Sequence, residues 1–454
     1  MSNQSSKEIL SDNSLRFLTV MWCDNANLIR SKSVHLPSLK LSGPELLTKI
    51  ERLLTVSVAL QALPAVFDEP VPAAELEPVK EVRLVPDWST LVFPPYANGH
   101  AQVLGNLVME TEPWELCPRQ LLARSMANLE ESGYSAMVGA EIEFFLFRRT
   151  DDAEFPKPVD YDLYGQNSAF TESREVIDGI ADALFAQGIE LANYNVEAGP
   201  GQHELALHHS DPMTLANRII LARETIRAVA REHDLVVSFL PKIFADATGS
   251  GCHQHLSLWS EGKNVLADAT GNWNLSAPGE AFIAGILEHL PGLMALTTPT
   301  PNSFRRIQPE AWSGAFQVWG IDNKEAAIRV LANPFGDGPV HFELKTADLS
   351  ANPYVALSGI LSAGADGIRR QLTLCEPLQR DPGQLTADER KYKGIQQLPE
   401  SLDQALAKLK QDTVLQEMFG ENYSKVYTAV RKFEQEHLRE YDLEKERALL
   451  LTRY

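Results

Sequence analysis

Five carboxylates and one imidazole, scattered over distant stretches, constrain this chain more than anything else in it: Glu141 and Glu143, Glu197 and Glu204, His253, and Glu343. Several stand in strand-like runs crowded with apolar residues, where an unpaired carboxylate is costly to bury. A fold that gathers them needs a compensating cation, and oxygen-rich ligation selects a hard one, Mg²⁺ or Mn²⁺. Such ions usually handle phosphates, so the pattern predicts a nucleotide-dependent enzyme.

Each stretch has its own logic. Gly139–Phe147 reads as a strand from its aromatic and β-branched content. Period-two alternation puts Glu141, Glu143, Phe145 and Phe147 on one face, with the two like charges about 7 Å apart. A solvated edge strand is the plain alternative to a metal site. In Asn195–Leu207 a Gly-Pro-Gly turn can fold Glu197 towards Glu204, although a lone Glu there would be an ordinary surface residue. Thr248–Leu258 is a glycine-rich turn running into a strand, with His253 and His255 on one face. Its glycines let backbone N–H groups approach an anion. A His-x-His pair also suits zinc, and a buried structural pair is the bland reading. Arg305 and Arg306 end a Pro-Thr-Pro loop, and Lys324 and Arg329 add two cations. Arginine favours bidentate carboxylate or phosphate recognition; surface ion pairing is the common fate of any one of them. His341–Asp348 reads as a strand with Glu343 and Lys345 on one face, and Asn352-Pro353 opens a helix.

The chain has 454 residues, net charge −20 and a sequence pI near 5.0. This balance argues against nucleic acid and anionic membranes as partners, since both need a basic face. Four widely spaced cysteines form no CxxC pair and predict reduced thiols in a cytoplasmic protein. The polar, Ser-rich start, residues 1–13, lacks the pattern of a signal peptide. Phe282–Leu296 is the most apolar helical stretch, but Glu288, His289 and Pro291 break it. We expect a small strand-rich domain over 1–108 and a second domain over 109–454 that alternates helices and strands. Predicted helices begin near Leu121, run from Val176 to a stop at Gly188, and run from the Asp211-Pro212 cap to about His233. Tyr423–Arg447 reads as one charged final helix with a solvated face or a subunit contact.

In this order and spacing the segments resemble the glutamine synthetase superfamily, over nearly the whole chain. The resemblance implies an α+β fold: an N-terminal β-grasp domain, then a catalytic domain with a curved antiparallel sheet and flanking helices. It implies ATP, two or more Mg²⁺ or Mn²⁺ ions, glutamate as a substrate, and a homo-oligomeric ring of six or twelve subunits with active sites between neighbours. Carried over by position, Glu143, Glu197 and Glu204 resemble ligands of the metal nearer the amino acid. Glu141, His253 and Glu343 resemble ligands of the metal at the nucleotide phosphates. His255 and Arg329 resemble phosphate contacts, and Gly249 and Arg306 resemble contacts to glutamate.

The chain also departs from the family pattern. The passage Ser57–Ala65 contains no acid, where ammonium-using members carry an aspartate that holds ammonium. Trp312 aligns with the flap glutamate that takes ammonium's proton, and an indole cannot accept it; it can offer a flat wall or a cation–π face to an organic amine. Thr248 replaces an asparagine beside glutamate, and Lys345 an arginine at its α-carboxylate. Lys324 and His341 replace arginines around the nucleotide. Trp312 and Trp319–Asn323 resemble the branch that makes γ-glutamyl amides from larger amines. The expectation is a glutamate–amine ligase, with Glu310 as a replacement base. Ammonium as nucleophile, a silent ring-forming homologue and a guanidino-group kinase are the alternatives.

Overall fold

Alternation of apolar residues sets the first sheet. In β1 (Phe17–Cys23) Leu18 and Val20 are fully buried, and in β4 (Glu81–Pro86) Val82 and Leu84 face the same core. With β2 (Ile29–His35), β3 (Thr55–Ser57), β5 (His100–Met109) and β6 (Glu112–Pro113) they form a six-stranded sheet of order β2-β1-β5-β4-β3, with β6 on β5. β1 and β5 run parallel; the other pairs are antiparallel. This computed structural model describes residues 14–150, 157–333, 336 and 338–454, so the Ser-rich segment 1–13 lies outside the described residues.

The second sheet has ten strands and curls into a half-barrel flanked by helices. Its axis is β7 (Ser135–Arg148), between β10 (Gln202–Ser210) and β12 (Gln254–Ser260). Along β7, Ile142, Phe144 and Leu146 enter the main core, while Phe145 and Phe147 join a second apolar cluster with Leu240 and Ile243. Glu141 and Glu143 share that second face mid-sheet, which removes the solvated-edge reading. β8 (Lys157–Pro158) and β11 (Leu235–Ser238) also pair with β7, β9 (Leu191–Val196) with β10, and β13 (Lys263–Asn264) and β16 (Phe342–Leu344) with β12. β15 (Ile328–Val330) follows on β16, and β14 (Trp319–Ile321) lies parallel to β15, one exception to the antiparallel sheet expected.

Helices start where the sequence supplies caps. α1 (Pro118–Glu131), α2 (Arg174–Ala186) and α3 (Pro212–Glu232) match the predicted spans, and an Asp211 carboxylate oxygen accepts the Thr214 N–H at 3.0 Å. α4 (Ala277–Thr297) runs unbroken through Pro291, which with Glu288 and His289 interrupts only its apolar run. Proline cannot donate to the Leu287 carbonyl, and the Gln317 side-chain amide does so instead at 2.7 Å. α5 (Pro301–Arg306) makes a helix of what read as a loop, and α6 (Pro353–Arg370) packs on α4 so closely that a Cβ at Gly285 would lie 2.3 Å from the Ala363 carbonyl oxygen. No described helix is long and apolar enough to cross a membrane.

The final helix corrects an expectation. It divides into α7 (Glu421–Leu438) and α8 (Leu443–Leu450), with Asp442 capping the second. The inner face of α7 is buried within the chain: Tyr423, Tyr427, Val430, Arg431 and Glu434 are each at most 2% exposed. Arg431 pairs with Glu434 at 2.7 Å and donates to the Asn25 carbonyl; Glu434 accepts the Ala65 N–H at 2.6 Å. Ser57–Ala65 is therefore mostly buried beneath α7 and is no exposed loop. Just beyond it, Phe67, Asp68 and Glu69 are exposed.

Candidate active site

β7 and β10 bring the first carboxylates together by register. Glu204 lies opposite Glu143, and the Glu197 N–H closes the Gly-Pro-Gly turn onto the Gln202 carbonyl at 2.9 Å. β12 and β16 add the rest, with His255 opposite Glu343. The six singled-out residues line one cleft of about 160 Å³, joined by Thr248, Gly249, Arg306, Trp312, Lys324, Arg329 and Lys345. His255 and His341 instead line a neighbouring cavity of about 550 Å³, where their rings meet at 5.1 Å; Glu141 borders both spaces.

The carboxylates divide electrically. His253 Nδ1 lies 2.8 Å from Glu141 and 3.2 Å from Glu343, and His255 Nε2 lies 2.9 Å from Glu141. Against the penalty of burial, these imidazoles hold Glu141 well below the usual carboxylate range. Burial also opposes ionisation of Glu343, but His253 and Lys345, whose Nζ is 2.8 Å away, pull it well below as well. His253 rises to about 9: burial and Lys345 oppose its charge, and its bonds to Glu141 and Glu343 win. Glu197 and Glu204 make no ion pair among the described residues, and the pull of His253 on each is outweighed. Burial, then repulsion from Glu143, pushes Glu197 up to about 7; burial, then Glu141, pushes Glu204 up to about 9.

This imbalance tests the fit to a divalent metal. Buried oxygen donors crowd one another, and two of them resist ionisation for want of positive charge, which is what a hard cation reverses. Donor atoms of Glu141, His255 and Glu343 lie within 4.8 Å of one another. The donor set fits.

The glycines act differently from the expectation. The anion that the Gly251 N–H approaches is Glu143, at 2.9 Å. Gly249 and Gly251 leave room for Arg306, because a Cβ at either would lie 2.8 Å or less from its side chain. Arg306 is braced by the Thr346 and Lys345 carbonyls at 3.1 and 2.8 Å. Arg305, which read as a second cation here, turns away to a bidentate pair with Glu446 at 2.9 Å. Arg329 reaches Glu343 at 3.3 Å.

Trp312 stands at the mouth, 52% exposed, with its backbone N–H on Glu325 at 3.1 Å. Lys324 Nζ lies 4.6 Å over the indole, and Tyr164 meets it edge-on at 6.4 Å. Glu310 does not line the cleft; its side chain packs beside Gly383. The sequence reading missed Gln202, whose amide donates to Glu143 at 3.1 Å and the Gly249 carbonyl at 3.0 Å and accepts from Thr248 at 2.9 Å. It also missed Tyr164 and Asn195. The first two had a signal: Gln202 directly follows Gly-Pro-Gly, and Tyr164 ends an aromatic, polar loop.

Comparison with known proteins agrees with this geometry. The glutamine synthetase catalytic-domain family matches residues 115–449. Type-1 glutamine synthetase 1 of Dictyostelium discoideum is 32% identical over 445 residues, covering 94% of this chain and 87% of that protein. A gamma-glutamylpolyamine synthetase of Streptomyces coelicolor is 34% identical over 359 residues, covering 78% of this chain and 77% of that one. A crystal structure described as a novel glutamine synthase homolog superposes with a TM-score of 0.82 at 27% identity, covering 97% and 99% of the two chains. This chain belongs to the glutamine synthetase family.

Proposed function

We propose that this family member is an ATP-dependent ligase that joins the γ-carboxylate of glutamate to a primary amine through a γ-glutamyl phosphate. Trp312 carries the reading: a half-exposed indole stands at the mouth of the carboxylate cleft where a proton-accepting acid would serve ammonium. The relative named a gamma-glutamylpolyamine synthetase supports an amine as nucleophile. Glu143, Glu197 and Glu204 would hold one divalent ion, and Glu141, His253 and Glu343 another. Such ions, when bound, neutralise phosphate charge and polarise the transferring group.

The chain's own residues do the rest. ATP enters by the cavity of His255 and His341, and Glu141 divides it from the acid substrate. Arg306 and Lys345 bind glutamate's carboxylates, Lys345 as a point charge. Arg329 stabilises charge on the phosphoryl group as the γ-carboxylate attacks it. Trp312 and Tyr164 cover the acyl phosphate, exclude water and leave a flat wall for the amine. A ring assembly and a cytoplasmic location belong to the same proposal.

Phosphate release from ATP, measured with glutamate and a panel of primary amines or ammonium, tests the reading. We expect amines to outpace ammonium; the reverse by a wide margin refutes it. One observation favours ammonium as a second reading: Asp68 and Glu69 stand exposed on the first sheet's side, where a neighbouring copy could use them. A silent homologue would show no rise in melting temperature with ADP and Mg²⁺.

A further inference from the structure

The cations of the cleft are not equally held. Arg306 is braced by two carbonyls, and Arg329 and Lys345 are paired with Glu343. Lys324 is exposed and makes no ion pair with a described carboxylate; its ammonium rests on the Trp312 ring, 4.6 Å from the centroid. The backbone that carries the ring is held. Glu310 and Trp312 have φ values of +58° and +53°, which residues with side chains seldom adopt and which persist only where surroundings enforce them. Three hydrogen bonds enforce them: Trp312 N–H to Glu325 at 3.1 Å, Gln308 N–H to Ser313 Oγ at 3.0 Å, and Ser313 Oγ–H to the Gln308 carbonyl at 3.0 Å. A half-exposed, electron-rich face thus carries a primary ammonium on a flexible four-carbon stem.

We propose that Lys324 is an internal stand-in for the amine substrate: its ammonium covers the indole face that a protonated primary alkylamine would take, and a phosphate beside Arg329 draws it off. The inference rests on the reading of Trp312 as the nucleophile's wall. It names the substrate class from the occupant, since a lysine side chain is a butylammonium. It also makes Lys324 a specificity residue. The amine finds its face free only once an anionic nucleotide is in place, because a swing towards Arg329's anion trades a cation–π contact for a direct charge pair.

Calorimetric titration of the full chain with butylamine hydrochloride tests this. Without nucleotide, Lys324→Met should bind butylamine about two- to fivefold tighter than the unaltered protein, the equivalent of an exposed cation–π contact of about 0.5–1 kcal/mol. A non-hydrolysable ATP analogue with Mg²⁺, which keeps the terminal phosphate, should tighten binding to the unaltered protein and leave Lys324→Met unchanged. Trp312→Ala should abolish the difference between Lys and Met at 324. Equal affinities without nucleotide, or equal tightening by the analogue in both proteins, overturns the proposal. Phosphate release with butylamine is read separately. If only ammonium supports release, the amine reading falls and takes this one with it; if butylamine supports release while the affinities match, only the role of Lys324 falls.

Discussion

In the turn Cys23–Asn27 buried charges face opposite partners, whereas in the cleft around Glu143 carboxylates face one another. Asp24, fully buried, pairs with Arg30 at 2.8 Å, and its carbonyl accepts from Asn352 at 2.9 Å. Asn27 donates to the Leu349 carbonyl at 2.7 Å and accepts from Arg223 at 3.0 Å; Tyr454 Oη–H donates to the Ala26 carbonyl at 2.9 Å. This network ties the first sheet to α3, α7 and the segment after Glu343. In the cleft, Glu197 and Glu204 meet Glu141 and Glu143, and the attraction of His253 does not offset burial and their mutual repulsion. Burial of polar groups therefore has two meanings in one molecule. Matched charge holds structure together; unmatched charge of one sign marks a place where something positive must bind.

Removing one member should act with opposite sign in the two regions. The largest effect belongs to the matched network. Arg431→Met leaves Glu434 buried without its cation, and we expect a loss of about 3–5 kcal/mol in urea unfolding. Adding Glu434→Leu should recover part of it, because the stranded charge goes too. A loss under about 1 kcal/mol would show that the network does not hold the sheets together.

In the cleft the sign reverses. Glu204 sits near 9 in the folded protein against an unfolded value of 4.5. A raised carboxyl contributes stability that is complete below the unfolded value and lost as pH climbs towards the folded one. Glu204→Gln should therefore stabilise the metal-free protein at pH 8, by about 2–4 kcal/mol from linkage, and hardly at all near pH 4. The same carboxyls must ionise to take a metal, so saturating Mg²⁺ should stabilise the protein more at pH 8.5 than at pH 6 in urea unfolding, by a margin of about 1–3 kcal/mol. A pH-independent Mg²⁺ effect would break the contrast between the two regions.

How legible these regions were differs for a physical reason. Glu141 and Glu143 announce themselves, because carboxylates in an aromatic strand violate the usual pattern and period-two alternation gives their face. The Asp211 and Asn352 caps are local and were readable for the same reason. The matched network was invisible: Asn25 and Arg431 stand 406 positions apart and look like surface residues until folded. The passage of α4 through Pro291 was not legible, because the group that takes the freed carbonyl, Gln317, comes from elsewhere in the chain. Nor was the direction of Glu310, because sequence proximity to Trp312 says nothing about it, and two left-handed residues turn that segment sharply.

Gln202 is where the two rules meet, and it yields the smallest effect. It is a neutral amide set among acids, donating to Glu143 and accepting from Thr248 Oγ1 at 2.9 Å. Thr248→Val keeps the shape and removes that one donor, so stability should fall by only about 0.5–1.5 kcal/mol. The consequence for binding is more specific. The Gln202 amide also holds the Gly249 carbonyl, and Gly249 lies against Arg306. If the Thr248 hydroxyl orients this chain of contacts, Thr248→Val should raise KM for the acid substrate about two- to tenfold with kcat nearly unchanged, the mark of lost uniform binding. Thr248→Ser, which keeps the hydroxyl, should restore it. A fall in kcat with KM constant would instead place Thr248 in contact with the reacting atoms, and the neutral amide would then belong to the chemistry of the cleft rather than to its scaffold.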